Sequence, residues 1–238
     1  MSAPGQPPGA PRRQLVYGRA KGKPLSARQQ RLMETVLPRL RVPLEDARFD
    51  PAALFGGSPE DMPRDVELEV GFGGGEHLLA RAAACPEVGF IGCEPFVNGV
   101  AKAVAGIEEG GLSTIRLHHG DARDVLERLD DASLEAVHVL YPDPWPKARH
   151  HKRRFIGPDT LAVLARVVRP GGLLRVASDI PGYIRWTLIE VARDGRFAWT
   201  AERPADWRLP PPGWPGTRYE AKAIRAGRIP CYLDFRRR

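Results

Sequence analysis

Four acidic residues recur along the sequence at intervals that each match one strand-plus-helix unit. Glu69, Glu94, Asp121 and Asp143 are separated by 25, 27 and 22 residues, and each falls at or near the end of a predicted strand. Carboxylates accept hydrogen bonds and balance positive charge, so a row of them along one crevice predicts a site for a ligand with hydroxyl, amino or cationic groups. Taken singly, Glu94 or Asp121 is equally well explained as a cap on the next helix or turn.

The stretch YPDPWPKARHHKRR, residues 141–154, joins a carboxylate and an aromatic ring to a dense run of positive charge. Pro142 and Pro144 flank Asp143 and stiffen its backbone by fixing φ. An acid beside Trp145 suits a flat base that is held by its edge, and Trp145 either stacks on that base or only packs. The neighbouring cations predict contacts with nucleic-acid phosphates, the alternative being a solvated cationic loop. These cations are Lys147, Arg149, Lys152, Arg153 and Arg154.

A glycine-rich turn, EVGFGGGE at residues 69–76, connects a predicted strand to a predicted helix. Glycines such as Gly71 let the backbone turn sharply and approach a ligand closely, so Gly71 is predicted to contact a cofactor. A dinucleotide site needs G-x-G-x-x-G with a pyrophosphate at the helix N-terminus. Glu76 stands at the sixth position, and its charge would repel that pyrophosphate. The turn therefore disfavours NAD.

S-adenosylmethionine fits this pattern better, because it has a ribose, an adenine and a cationic amino group but no phosphates. In this interpretation Glu94 accepts hydrogen bonds from both ribose hydroxyls and Asp121 accepts from the adenine amino group. Glu69 balances the positive charge of the methionine end.

The elements that position these residues alternate between strands and helices from residue 65 onward. The strands are predicted at 66–71, 89–94, 113–121, 134–143 and 172–179, and the helices at 76–84, 96–109, 122–129, 157–168 and 181–194. Such alternation predicts a doubly wound α/β fold, with a parallel sheet covered on both faces and binding at the carboxyl ends of its strands. Residues 217–237 are predicted to form two strands around a turn near Gly227, extending the sheet antiparallel.

Composition divides the chain into three parts. Residues 1–13 are rich in Pro, Gly and Ala and predict a disordered tail. Residues 14–64 predict a basic arm and linker, with a helix that a capping box opens at Ser26 and that ends at about Leu37. Residues 65–238 predict the main domain.

The overall charge and the cysteine content narrow the class of protein further. The formal net charge is +7 and the pI about 9.7, which indicates an anionic partner. The three cysteines have no Cys-x-x-Cys spacing, which argues against a disulfide framework or a zinc site. No apolar run approaches the ~20 residues that span a bilayer, and the N-terminus lacks a secretory signal. We expect a cytoplasmic protein without a metal, a membrane segment or an obligate protein partner.

Several motifs together resemble the bacterial tRNA (guanine-N7)-methyltransferases of the TrmB type. They are EVGFGGGEHL, GCEPFVNGV, HGDARDVL, YPDPWPKARHHKRR, ASDIPGY and TRYEAKA. The resemblance runs from about Tyr17 to the C-terminus. It implies a class I methyltransferase fold, Rossmann-like with a mostly parallel sheet and an antiparallel C-terminal strand. It also implies methyl transfer from S-adenosylmethionine to N7 of guanine-46 in the variable loop of tRNA.

The resemblance also implies roles for individual residues. Asp143 would be the catalytic carboxylate, and the cofactor contacts would be Glu69, Glu94, Asp121 and Asp143. The tRNA contacts would be Lys147, Asp179, Thr217, Arg218, Tyr219 and Glu220. From the residues alone, Asp179 is as readily a helix cap, and Thr217 and Glu220 have no chemical signal of their own.

Three other functions remain open at this point. The chain resembles methyltransferases, and one that acts on another RNA or on DNA would have the same charge distribution. A non-catalytic RNA-binding module would retain the cationic run without needing a cofactor. A NAD-dependent dehydrogenase is the third, and Glu76 argues against it.

Overall fold

A seven-stranded sheet forms the centre of the protein. The computed structural model describes residues 22–44, 47–56, 60 and 62–238. The strands are β1 (Asp65–Val70), β2 (Val88–Cys93), β3 (Ile115–His118), β4 (Leu134–Leu140), β5 (Val168–Ser178), β6 (Phe197–Trp199) and β7 (Cys231–Arg237). Their order is β3-β2-β1-β4-β5-β7-β6. The first five are parallel, and β7 is antiparallel to both β5 and β6.

Helices connect these strands. They are α1 (Ala27–Thr35), α2 (Leu37–Leu40), α3 (Glu76–Ala84), α4 (Val97–Gly110), α5 (Ala122–Leu126), α6 (Pro158–Val167), α7 (Pro181–Asp194), α8 (Ala205–Arg208) and α9 (Arg218–Arg225). Short 3-10 helices span Pro51–Leu54 and Ala148–Arg153. Two of the longer helices begin at capping boxes, in which Ser26 pairs with Gln29 and Thr217 with Glu220.

Apolar side chains form a separate layer on each face of the sheet. On one face Leu68 and Val137 pack in a cluster that includes Leu161 of α6 and Tyr183 of α7. On the other face a second cluster joins residues of β2 and β3 to residues of α1–α4. The doubly wound arrangement that the sequence predicts is therefore confirmed.

A row of polar side chains crosses the middle of the sheet, buried at Glu69 and His138 and partly buried at Arg175 and Asp234. Glu69, His138, Arg175 and Asp234 are aligned on adjacent strands. Glu67 lies beside this row and accepts hydrogen bonds from Arg81 at 2.7 Å and from His138 at 2.9 Å. Burial by itself raises the pKa of Glu67, but the hydrogen bond from His138 and the charge of Arg81 outweigh it and lower the pKa to about 2.

The described part of the N-terminal arm packs onto the main domain. Leu32 of α1 and Leu37 of α2 are buried in the same cluster as Val100 of α4. Isolated bridges join Arg41 to Leu117 of β3, and Phe49 to Leu129. The predicted tail, 1–13, lies outside the described residues, and the three-part division of the chain stays a prediction.

The prediction for the C-terminal region is partly wrong. An antiparallel extension of the sheet is present, but residues 218–225 are the helix α9 and not a strand. The reason is local, because the capping box at Thr217 begins a helix that continues through good helix formers such as Ala221 and Lys222. β7 pairs instead with β5 on one side and, on the other, with the three-residue strand β6, which the sequence did not predict.

Replacing Glu67 with Ala is expected to lower the free energy of unfolding by about 3 kcal/mol near pH 7, because the buried His138 and the partly buried Arg81 would lose their acceptor. The folded pKa of about 2 lies below the unfolded value. The contribution of Glu67 is therefore complete above about pH 5 and is lost as the pH falls towards 2. Urea unfolding of both proteins near pH 7 and about pH 3 measures the difference.

Asp65→Ala is the control, because Asp65 forms a partly exposed ion pair with Arg169. Its loss should change the free energy of unfolding by at most about 1 kcal/mol. An equal destabilisation by Glu67→Ala at both pH values would contradict the assigned pKa.

Candidate active site

A cleft of about 390 Å³ opens at the carboxyl ends of β1–β4. Each strand contributes to its wall through the loop that follows it. The lining residues include Gly71 and Gly73 after β1, Glu94 and Phe96 after β2, Gly120 and Asp121 after β3, and Tyr141, Asp143 and Trp145 after β4. Arg218 and Tyr219, the first two residues of α9, also line it. Three of the four predicted acids therefore lie in one cleft.

The glycine turn after β1 is shaped for close approach. Gly71 and Gly73 have φ values of 67° and 61°, in the left-handed region that favours glycine. Tyr219 and Arg218 lie against Gly73, so the start of α9 packs directly on this turn. On the other side, a Cβ at Gly99 of α4 would come within 2.1 Å of the Gly73 carbonyl oxygen. The turn is thus held between α4 and α9.

Glu94 joins the first two loops of the cleft. Its carboxylate accepts hydrogen bonds from the backbone N–H of Gly73 at 2.7 Å and of Phe96 at 2.8 Å. Burial raises the pKa of Glu94. Each carboxylate oxygen has a second lone pair, so Glu94 retains acceptor capacity towards a ligand in the cleft.

Asp121 both caps a helix and lines the cleft. Its side chain accepts a hydrogen bond from the backbone N–H of Arg123 at 2.9 Å and caps the N-terminus of α5. Asp121 is therefore the helix cap that the sequence left open as an alternative. It also forms an ion pair with the Arg123 guanidinium at 3.0 Å. Arg123, whose guanidinium lies 4.9 Å from the ring of Phe155, is a cleft residue that the sequence did not predict.

The loop that contains Asp143 has an unusual backbone. β4 ends at Leu140, earlier than predicted, and Tyr141 and Trp145 have φ values of 51° and 40°. Such values cost non-glycine residues about 1–3 kcal/mol each and persist only where surrounding contacts hold them. Asp143 is exposed in the open cleft, and desolvation by the neighbouring walls raises its pKa.

Glu69 is placed differently from the other three acids. It is 4% exposed, does not line the cleft, and its carboxylate lies 2.7 Å from Nδ1 of His77. The His77 ring in turn contacts the ring of Trp214, with centroids 4.9 Å apart. The predicted contact of Glu69 with a cofactor stays a prediction.

The six predicted tRNA contacts fall into two groups. Lys147 is exposed, and Arg218 and Tyr219 line the cleft. The other three are engaged within the protein. Asp179 forms an ion pair with Arg228, Thr217 caps α9, and Glu220 is buried, where it accepts hydrogen bonds from Trp214 and Tyr232.

The cationic run is also divided. Arg149 and Lys152 are exposed, as phosphate contacts require. Arg154 is only 7% exposed and donates a hydrogen bond to the carbonyl of Pro144 at 2.9 Å, which differs from the predicted phosphate contact. The Trp145 ring lines the cleft and has the guanidinium of Arg153 at 5.0 Å from its centroid.

Comparison with known proteins identifies sequence relatives of this chain. A family model described as a putative methyltransferase matches residues 63–231. The chain is 55% identical over 229 residues to the tRNA (guanine-N(7)-)-methyltransferase of Rhodospirillum rubrum, covering 93% of this chain and 87% of that protein. It is 52% identical over 230 residues to the tRNA (guanine-N(7)-)-methyltransferase of Rhizobium meliloti, covering 96% and 97%.

Solved structures with lower identity show the fold. The crystal structure of the 16S rRNA methyltransferase KamB has a TM-score of 0.55 and 19% identity, covering 73% of this chain and 88% of that one. TrmN from Thermus thermophilus has a TM-score of 0.52 and 17% identity, covering 88% and 48%. The predicted class I methyltransferase fold is confirmed. By its sequence relatives, the chain belongs to the bacterial tRNA (guanine-N(7)-)-methyltransferase family.

Proposed function

We propose that this protein transfers a methyl group from S-adenosylmethionine to N7 of guanine-46 in the variable loop of tRNA, forming 7-methylguanosine. The observation that carries the proposal is the cleft in a chain of this family. Glu94 and Asp121 line it beside Asp143, and an exposed cationic segment follows Asp143 directly.

The cleft suits S-adenosylmethionine in size and in chemistry. Its volume of about 390 Å³ lies in the range of small-molecule sites. Glu94 and Asp121 offer carboxylate oxygens to the ribose hydroxyls and the adenine amino group. Gly71 has no side chain, and no atom beyond its own chain neighbours lies within 4 Å of the position that a Cβ would take there, so a ligand can approach its backbone closely. Glu69 is proposed to contribute negative charge near the methionine end from its buried position.

Glu76 supports this choice over a dinucleotide. It is the first residue of α3, where a pyrophosphate would otherwise sit, and it forms an ion pair with Lys102. Burial opposes its ionisation, but the hydrogen bond and charge of Lys102 outweigh that effect and lower its pKa. A carboxylate held negative at this position repels phosphates.

Guanine N7 has a free lone pair, so the protein need not remove a proton. When bound, S-adenosylmethionine supplies the methyl group as a sulfonium. The task of the chain is to align the purine, a factor that contributes up to ~7–11 kcal/mol in well-oriented systems. Asp143 is proposed to accept hydrogen bonds from guanine N1–H and N2–H, fixing the base and favouring the positive charge that develops on it. Asp143 lines the cleft, and desolvation by its surroundings raises the pKa of its carboxyl group.

Lys147, Arg149 and Lys152 are proposed to contact tRNA phosphates, which makes binding dependent on salt. Arg218 and Tyr219 lie at the cleft, where the base would enter. Thr217 and Glu220 are proposed to act through them, by holding the first turn of α9 in place. Asp179 is proposed to act near the same entrance with Arg228.

A cytoplasmic location is part of the proposal. The three cysteines, Cys85, Cys93 and Cys231, are unpaired, which suits a reducing compartment. None of the helices in the described part of the chain has the length and apolar character needed to cross a membrane.

The direct test is methyl transfer from labelled S-adenosylmethionine to unmodified tRNA, followed by mapping of the alkali-labile 7-methylguanosine. We expect label at guanine-46 and none in a matched tRNA with adenine at that position. Label in another RNA or in DNA alone would support the other methyltransferase function. Calorimetry that shows RNA binding without binding of S-adenosylmethionine would support the non-catalytic module.

Asp143→Ala and Asp143→Asn are expected to lower the single-turnover rate at saturating cofactor and tRNA by about 10²–10³-fold, the usual loss when one transition-state contact is removed. Glu87→Gln is the matched control, because Glu87 is an exposed acid that precedes β2 at the opposite edge of the sheet. Near-wild-type rates for both Asp143 variants would exclude the proposed role.

The raised pKa of Asp143 predicts a particular pH profile. Because the ionised form accepts the hydrogen bonds, the single-turnover rate should fall as the pH drops through a midpoint above the ~3.9 of an ordinary aspartate. Above that midpoint the rate should be flat, since N7 needs no base. Asp143→Asn should be slow and lack this acid limb. A limb with its midpoint near 7 that persists in Asp143→Asn would contradict the mechanism.

A further inference from the structure

Arg154 stands at the end of the cationic run, but its surroundings are those of a core residue. It is 7% exposed, whereas Arg149 and Lys152 in the same run are exposed. We propose that Arg154 is a positioning residue for Asp143 and not a phosphate contact. The proposal rests on the proposed function, in which Asp143 holds the guanine.

The hydrogen bonds of Arg154 go to the backbone that follows Asp143. Its Nε donates to the carbonyl of Pro144 at 2.9 Å, and one terminal nitrogen donates to the carbonyl of Trp145 at 3.4 Å. A guanidinium has several donors in a fixed plane and no acceptor, so one side chain can hold two neighbouring carbonyls. The two residues after Asp143 are therefore tied to Arg154.

The guanidinium is itself fixed by α7. It lies 4.9 Å from the ring centroid of Trp186 and 5.7 Å from that of Tyr183. Tyr183 is fully buried, and the indole N–H of Trp186 donates to the carbonyl of Ile156 at 2.7 Å. Aromatic faces stabilise a guanidinium that has lost its water. The position of the loop is thus set by the core of the domain.

The backbone geometry of the loop explains why it needs the hydrogen bonds from Arg154. Tyr141 and Trp145, on either side of Asp143, have left-handed φ values that cost energy in non-glycine residues. At the first end, the N–H of Tyr141 donates to Ala177 of β5 at 2.8 Å. At the second end, Arg154 holds the carbonyl of Trp145. Without Arg154, the carbonyls of Pro144 and Trp145 lose these donors, and the backbone that positions Asp143 is less firmly held.

The test compares catalysis with tRNA affinity in Arg154→Lys and Arg154→Met. Both variants are expected to lower the single-turnover rate at saturating cofactor and tRNA, Arg154→Met by about 100-fold, the loss typical of a misplaced group. The slope of log affinity against log salt should not change. Arg149→Met should instead reduce the magnitude of that slope by roughly 0.7–0.9, the range for one phosphate contact in nucleic acids. Arg64→Met is the control, because Arg64 is exposed just before β1, and this variant should change neither the rate nor the salt slope.

Rescue adds a readout that a merely structural role would not give. Guanidinium ion should restore much of the rate of Arg154→Ala, which leaves a space of matching shape, and should not restore Arg154→Met, in which the side chain fills that space. Thermal melting checks that each variant is folded. If Arg154→Met melts without cooperativity, Arg154→Lys and the rescue of Arg154→Ala decide the question.

The outcomes separate the two proposals. A wild-type protein that transfers no methyl group to tRNA refutes the proposed function. If the wild-type protein is active, and Arg154→Lys keeps the wild-type rate but reduces the magnitude of the salt slope by roughly 0.7–0.9, Arg154 is a phosphate contact and the positioning role is refuted. Failure of guanidinium to rescue Arg154→Ala in a folded protein also refutes it.

Discussion

The parallel alignment of β1–β4 is the constraint on which the site depends. Because these strands run in the same direction, the loops after them open at the same edge, and Glu94, Asp121 and Asp143 converge although they are far apart in sequence. Two further residues come from the C-terminal region. The helix α9 comes just before the antiparallel strand β7 and brings Arg218 and Tyr219 to the cleft. The loops after four strands and the start of one helix thus contribute to a single cavity.

Much of this could be predicted from the sequence, because strand spacing and strand polarity are encoded locally. The intervals between acids were enough to place Glu94, Asp121 and Asp143 in one cleft. The strand β6 was missed because three residues carry too little periodic signal, and α9 was missed because its apolar residues alternate much as a strand's do. The surroundings of Glu69 and Arg154 could not be predicted, because their partners His77 and Trp186 meet them only through the fold.

The segment after β4 combines two properties that usually conflict. In the proposed function it presents a carboxylate to a large, charged substrate, so it is exposed, and it also holds that carboxylate in a fixed position. The position of the carboxylate is fixed by the prolines on both sides of Asp143, by two residues with left-handed φ values and by the buried Arg154. In the proposed function, the basic residues of the segment serve both internal support, through Arg154, and attraction for nucleic acid.

The polar row across the sheet, from Glu69 through His138 and Arg175 to Asp234, bears on how the strands find their alignment. Side chains alternate between the faces of a sheet, so a slip of one residue in any of these strands would push a charged or imidazole group into the apolar layer beneath α6 and α7. It would also move Leu68 or Val137 out of that apolar layer and onto the face of the sheet that holds the polar row. The row therefore disfavours misaligned pairings and specifies the register that brings the loops after β1–β4 together.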